Sequence, residues 1–305
     1  MTQQVDIPAG ERRGAVDRAA AVLWPAAIAN LVANIAIVVT GGAVRLTGSG
    51  LGCPTWPRCT EESYVAHGAL GWHGAIEFGN RMLTFVLVAI AIGCWLAALA
   101  SRRRGDAGGG RSVLLSTVIA LGIPAQAVIG GVTVLTDLNP WVVALHLLVS
   151  MAIIGVCVVL LDHLRPVPRP AASPGLWWTV VATYVVGWVV LYLGTVVTGS
   201  GPHSGDLDSR RTGLDPQVMS HVHAAAVYAL VAVTVAVLFL AVRSRLAVLR
   251  RAATLLLAVE LLQGVIGFVQ YFNDLPELLV GLHMLGAALT SAALAWLVLA
   301  ARQRD

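Results

Sequence analysis

Apolar residues in this chain gather into blocks of roughly 20, separated by shorter polar stretches. A block of that length is what an α-helix needs to cross about 30 Å of hydrocarbon. The pattern predicts eight spans, at 24–44, 74–98, 112–135, 141–162, 177–197, 220–242, 252–271 and 279–300. The connection at 45–73 is long, and the one at 198–219 is shorter and more polar. Those at 136–140 and 272–278 are tight, which makes spans 3–4 and 7–8 hairpins of close neighbours. The polar N-terminus carries Arg12, Arg13 and Arg18 and runs straight into the first span. It reads as a retained helix rather than a cleaved signal peptide.

Composition agrees with a membrane chain. Of 305 residues, 57% are hydrophobic and 12% charged, about half the charged share of a soluble domain. The net charge of +4 comes from arginine, which supplies all 20 basic residues. Fifteen lie in the N-terminal tail, the even-numbered connections and the C-terminus, including Arg102, Arg103, Arg104, Arg165, Arg169, Arg250 and Arg251. Arg45, Arg58, Arg210 and Arg211 lie on the other side, and Arg81 falls within a span. Basic loops stay inside, so both termini are expected in the cytoplasm. The clusters are short, separated and next to spans, which makes the charge a topology signal and leaves no case for nucleic acid.

The chain also repeats itself. Gln126-Ala-Val-Ile-Gly130 returns as Gln263-Gly-Val-Ile-Gly267, and His146 returns as His283, all at an offset of 137 residues. Thr47-Gly-Ser-Gly50 after the first span returns as Thr198-Gly-Ser-Gly201 after the fifth. Four spans bring the chain back to its starting side, so the halves share one orientation. The expected fold is an all-α integral membrane protein of eight helices. It forms two tandem four-helix bundles, 1–170 and 171–305, related by a pseudo-two-fold axis along the membrane normal.

Four histidines fall at one depth. His73, His146, His223 and His283 sit near the outer ends of spans 2, 4, 6 and 8. Ionisable groups inside a membrane are costly enough that function is the default reading. Neutral imidazoles from facing helices can hold a haem between them. His221 lies about 200° around the helix from His223, and His223 is preferred because small residues, Ala224 to Ala226, leave room for a macrocycle. His163 reads as interfacial, and His67 and His203 as solvated loop residues.

Glu77 shares a helix face with His73, Asn80 and Arg81. It is either half of a structural ion pair with Arg81, or a carboxylate beside the reacting group with Arg81 facing a haem propionate. Glu260, whose counterpart in the first half is Ile123, is left without a role. Cys53 and Cys59 lie in the first outer loop, where a disulfide or a redox-active dithiol is open, whereas a metal pair has no second cysteine pair to complete a site. Cys94 and Cys157 read as small apolar residues.

The segment Gly42-Ala-Val-Arg-Leu-Thr-Gly-Ser-Gly-Leu-Gly-Cys-Pro-Thr-Trp-Pro-Arg-Cys59 resembles the first outer loop of the haem A synthases. Glu77-Phe-Gly-Asn-Arg81, Leu145-His146 and Leu282-His283 resemble that family too, and the composition resembles its actinobacterial branch. The resemblance implies an oxidoreductase of the bacterial plasma membrane. It would oxidise a methyl group of haem O to the formyl group of haem A for terminal oxidase assembly. It implies a haem b cofactor on His223 and His283 and a substrate haem on His146. Glu77 matches the family's essential carboxylate, and Cys53 with Cys59 matches a pair capable of forming a disulfide. The implied partners are the haem O substrate, membrane lipid, haem O synthase and cytochrome c oxidase assembly factors, with room for a homo-oligomer.

One departure stands out. Asn80 occupies the position where the family's Glu-x-x-His-Arg pattern has its histidine. Either His73, two turns away on the same face, replaces that ligand, or His146 holds the substrate haem alone. The third outer loop also lacks the second cysteine pair that some members carry. Two other classes compete. A quinol-linked two-haem cytochrome b would explain the histidines but needs neither Glu77 nor the cysteine loop. A transporter would be marked by broken helices near the midplane, for which Pro124 is one candidate site.

Overall fold

A computed structural model describes residues 17–66, 71–206 and 209–304. His67, Arg12 and Arg13 lie outside the described residues. Among the described residues eight helices are each long and apolar enough to cross a membrane. They are α1 (Leu23–Leu46), α2 (Gly71–Arg104), α3 (Gly109–Leu135), α4 (Pro140–Leu164), α5 (Pro174–Ser200), α6 (Pro216–Arg243), α7 (Ala247–Phe272) and α8 (Glu277–Ala300). The chain is a multi-pass membrane protein. Every expected span is present, and most are longer than hydropathy alone marks. Helix α2 continues through Arg102, Arg103 and Arg104, whose long side chains let a helix leave the apolar layer without ending.

Local chemistry sets several of the boundaries. Pro140 opens α4 after Asn139, whose side chain accepts a hydrogen bond from the Trp141 N–H. Pro216 opens α6 after Asp215, which accepts from the N–H groups of Gln217 and Val218. Both pair a capping side chain with a proline whose missing N–H costs nothing there. The two tight turns are the same turn. Asp137 and Leu138 have φ of 52° and 55°, and Asp274 and Leu275 have 56° and 57°. Left-handed backbone is unfavourable for residues other than glycine, so finding it at two consecutive positions of both hairpins, again 137 residues apart, gives the repeat a geometric form.

Helices α1 to α4 close a ring in chain order, α1 against α2, α2 against α3, α3 against α4 and α4 against α1, and α5 to α8 close a second in the same order. The rings meet through α1, α4, α5 and α8. Between them Val38, Met151, Ile154, Leu191 and Ala288 form a buried cluster, and the Ser291 hydroxyl donates to the Met151 carbonyl at 2.8 Å. Small residues bring helices together where apolar transfer cannot drive packing. A Cβ on Gly42 would stand 2.8 Å from the Met284 sulfur, and one on Gly122 would stand 2.9 Å from Ile153. Leu114, Leu121, Phe239 and Leu262 point outward, as lipid-facing side chains must. Helix α3 runs unbroken through Pro124, so the discontinuity expected of a transporter is not there.

The end of the bundle that carries loop 47–66 is stitched across the two halves. Arg45, half-buried, donates to the Thr198 carbonyl at 3.0 Å and the His203 carbonyl at 2.6 Å. The Gly50 N–H donates to the Gly205 carbonyl. His203 was expected to be solvated, but its ring is half-buried and its Nε2 bonds to the Leu275 carbonyl at 2.9 Å. At the opposite end Asp162 pairs with Arg169 at 2.9 Å and with Arg304.

Candidate functional site

Three helix-borne histidines, His146, His223 and His283, occupy equivalent places. Gly130 of α3 faces the imidazole of His146 on α4, its would-be Cβ 3.2 Å from Cε1. Gly267 of α7 faces His283 on α8 at 3.5 Å, and Gly194 of α5 faces His223 on α6 at 3.4 Å. In each case a glycine on the preceding helix leaves room for a ring between two backbones. A fourth position completes the set. Gly41 of α1 has Asn80 of α2 as its neighbour at 4.0 Å. Asn80 therefore stands in the first half where His223 stands in the second. Its Oδ1 accepts a hydrogen bond from the Thr40 hydroxyl at 2.8 Å.

His73 lies elsewhere. It is half-buried at the start of α2, stacked beside Trp72 with ring centres 3.9 Å apart, and its Nδ1 is 3.0 Å from the Ser49 hydroxyl. It is built into the contact between loop and helix.

The rings of His223 and His283 face each other with centres 6.4 Å apart and planes at 75°. Two imidazoles bound on opposite sides of one metal ion through nitrogens about 2 Å from it have ring centres about 6 Å apart. The pair therefore fits an ion held between them. Among the described residues no group of three or more metal-ligating side chains gathers, so the fit is to a metal that brings its remaining donors along, as a haem does. The Nδ1 atoms of His283 and His146 are buried without a hydrogen-bond partner. A buried ring nitrogen left in that state is costly for packing alone.

Glu77 is 5% exposed and lies under the cysteine loop. Its Oε2 accepts from the Cys53 N–H at 2.6 Å, and its Oε1 accepts from Arg81 Nε at 3.1 Å and Nη2 at 2.5 Å. Arg81 also donates to the carbonyls of Cys53, Thr55 and Arg58 at 3.1–3.2 Å. The ion pair, one of the two readings that the i,i+4 spacing leaves open, is present, and the guanidinium ties the loop to α2 with the same fork of donors. Cys53 and Cys59 are joined in a disulfide and fully buried. Trp56, inside that loop, lies against Gly131 of α3, where any larger residue would collide with the indole. The loop is thus a lid fastened to α2 by Arg81 and Glu77 and to α3 by Trp56.

Some polar residues escaped notice in the sequence. Asn30 and Asn34 on α1 are buried beside the cluster that holds Cys94 and Cys157, with Asn34 Nδ2 3.9 Å from the Cys157 sulfur. Asparagines within an apolar block lower its hydropathy only slightly, so neither marks itself as buried. Glu260, which the sequence does mark as an acid within a span, is buried in the middle of α7. The glycines behind the histidines carried a signal only as part of the repeat.

Comparison with known proteins adds an independent line. The profile of the cytochrome oxidase assembly protein family matches residues 26–75, which cover α1, the cysteine loop and the start of α2. A heme A synthase of Geobacillus thermodenitrificans is 29% identical over 147 residues, 48% of this chain and 44% of that protein. One of Lysinibacillus sphaericus is 31% identical over 131 residues, 42% of this chain and 40% of that protein. One of Rhodopseudomonas palustris is 28% identical over 206 residues, 58% of this chain and 56% of that protein. The chain thus aligns with about half the length of the curated relatives it matches.

Proposed function

We infer that this chain, a relative of the haem A synthases, is an oxidoreductase that converts the methyl group of haem O to the formyl group of haem A for terminal oxidase assembly. The observation that carries the reading is the inequality between its two ligand positions. The second half offers two facing histidines, and the first offers His146, an asparagine and a carboxylate under a fastened loop.

In this reading His223 and His283 hold a haem b, which supplies one-electron transfer when bound. The first half, 1–170, takes the substrate haem, with His146 as its ligand. Asn80, engaged with Thr40, would offer that haem no imidazole, and His73 stays with Ser49. Glu77 is the catalytic carboxylate. Three hydrogen bonds fix it in place, and its oxygens can accept a proton leaving the substrate's oxidised carbon. Arg81 positions it. The Nε, Nη1 and Nη2 donors of Arg81 are all engaged with Glu77 and the loop, so meeting a haem propionate requires exchanging loop carbonyls for propionate oxygens. The loop, closed by Cys53–Cys59 and pinned by Trp56, keeps water from the carboxylate. Arginine placement puts both termini in the cytoplasm and the site toward the outer face.

The test is expression in a bacterial host that makes haem O and no haem A, followed by haem extraction. Haem A in the extract supports the reading. Only haem O, from a folded and haem-loaded protein, overturns it. A cytochrome b carrying electrons across the membrane would need haems at two depths, whereas His146, His223 and His283 all lie within two turns of the same end of their helices.

A further inference from the structure

Glu260 lies twelve or thirteen residues from either end of α7, about 20 Å from each, and is 3% exposed. Its Oε1 accepts from the Thr234 hydroxyl of α6 at 2.8 Å, and its Oε2 is buried without a partner. A carboxyl group at that depth is expensive. Packing does not require it, because the corresponding residue of the first half, Ile123, is 2% exposed and fills its place with hydrocarbon.

The surroundings are polar on one side only. Glu260, Gln263 and Gly267 lie along one face of α7. The Gln263 side chain lies against Gly286 of α8, and Gly267 against His283, one turn from Gly286. A polar line therefore descends from the histidine pair to Glu260, about 10 Å by helix rise. Beyond it Leu256, Ala253, Val237, Ala241, Leu294 and Leu297 form a fully buried apolar floor. Among the described residues no cation pairs with the carboxyl group. The titratable and charged groups of α6 are His221, His223, Tyr228 and Arg243, and those of α8 are Glu277 and His283. On α7 itself Arg250, Arg251 and Tyr271 lie near the ends. The remaining polar neighbours on α8 are engaged, Thr290 with the Gly286 carbonyl and Ser291 with the Met151 carbonyl.

We propose that Glu260 is a proton-binding site that loads and unloads with the redox state of the group held by His223 and His283. It rests on the haem b assignment above. When the iron gains an electron from an external one-electron reductant and becomes ferrous, Glu260 takes a proton at Oε2 from water on the loop side. The net charge of the buried site is then unchanged. Reoxidation releases both. The apolar floor directs the exchange toward the loop side, along Gln263.

The experiment is a redox titration of the purified full-length holoprotein with mediator dyes at a series of pH values, following the low-spin haem band. In the wild type the midpoint potential falls as pH rises. Glu260→Gln keeps the band and loses that slope. Thr234→Val keeps the slope but shifts the pH at which it breaks. A wild-type slope in Glu260→Gln overturns the proposal, and if that variant does not fold, an unmoved break in Thr234→Val does. A wild type with no low-spin haem overturns the haem assignment and this proposal together. A haem band with an unaffected slope overturns only this one.

Discussion

Gly41 and Asn80 meet in the first half as Gly194 and His223 meet in the second. Under the proposed function the asparagine occupies a ligand position of the first half. Asn80→His should then build a second facing pair with His146. The expected result is a second low-spin haem signal in the reduced-minus-oxidised spectrum, with haem A production falling as the open position closes. An unchanged spectrum would separate Asn80 from the haem.

His73 is expected to matter little to the chemistry, because its ring is already used by Ser49. His73→Ala should lower stability by about 1 kcal/mol, the worth of one hydrogen bond, and leave haem content and haem A yield near wild type. Loss of the substrate haem in this variant, with the cofactor signal intact, would make it a ligand after all.

Glu77→Gln keeps the volume and the contact with Cys53 while removing the charge. Haem A formation should fall by about 100-fold or more, the usual worth of a positioned acid or base, with the His223–His283 haem unaffected. Arg81→Met should act twice, releasing both Glu77 and the loop, so limited proteolysis within 51–66 should rise in that variant and not in Glu77→Gln.

The disulfide closes a short loop that Arg81 and Trp56 also hold. Cys53→Ser should therefore cost about 2 kcal/mol by the chain-entropy argument, read as a lower melting temperature, and retain part of the activity. Unchanged melting with abolished activity would instead mark the pair as an electron carrier.

The eight helices were legible because a membrane imposes one length and one polarity on every span. The repeat was legible because the Gln126 and Gln263 motifs are short and identical in spacing. Orientation of the histidine pair was not, since periodicity places a residue on a face but does not show which face meets which neighbour. Asn80 could be read as a departure from the family pattern, but whether His73 had taken its place needed the Ser49 contact and the Gly41 neighbour. His203 departs from the solvated state for a related reason. A loop histidine is usually solvated, and only the crossing of two loops from different halves buries this one. Ion pairing of Glu77 with Arg81 followed from spacing, whereas the loop carbonyls that share the guanidinium lie more than twenty residues away in sequence.

The division of labour between the halves is tested most directly by haem analysis of two variants, His283→Ala and His146→Ala, purified from a host that makes haem O. The account expects His283→Ala to lose haem b and still bind haem O, and His146→Ala to keep haem b and lose the substrate haem. Low-spin haem b retained in His283→Ala would contradict it.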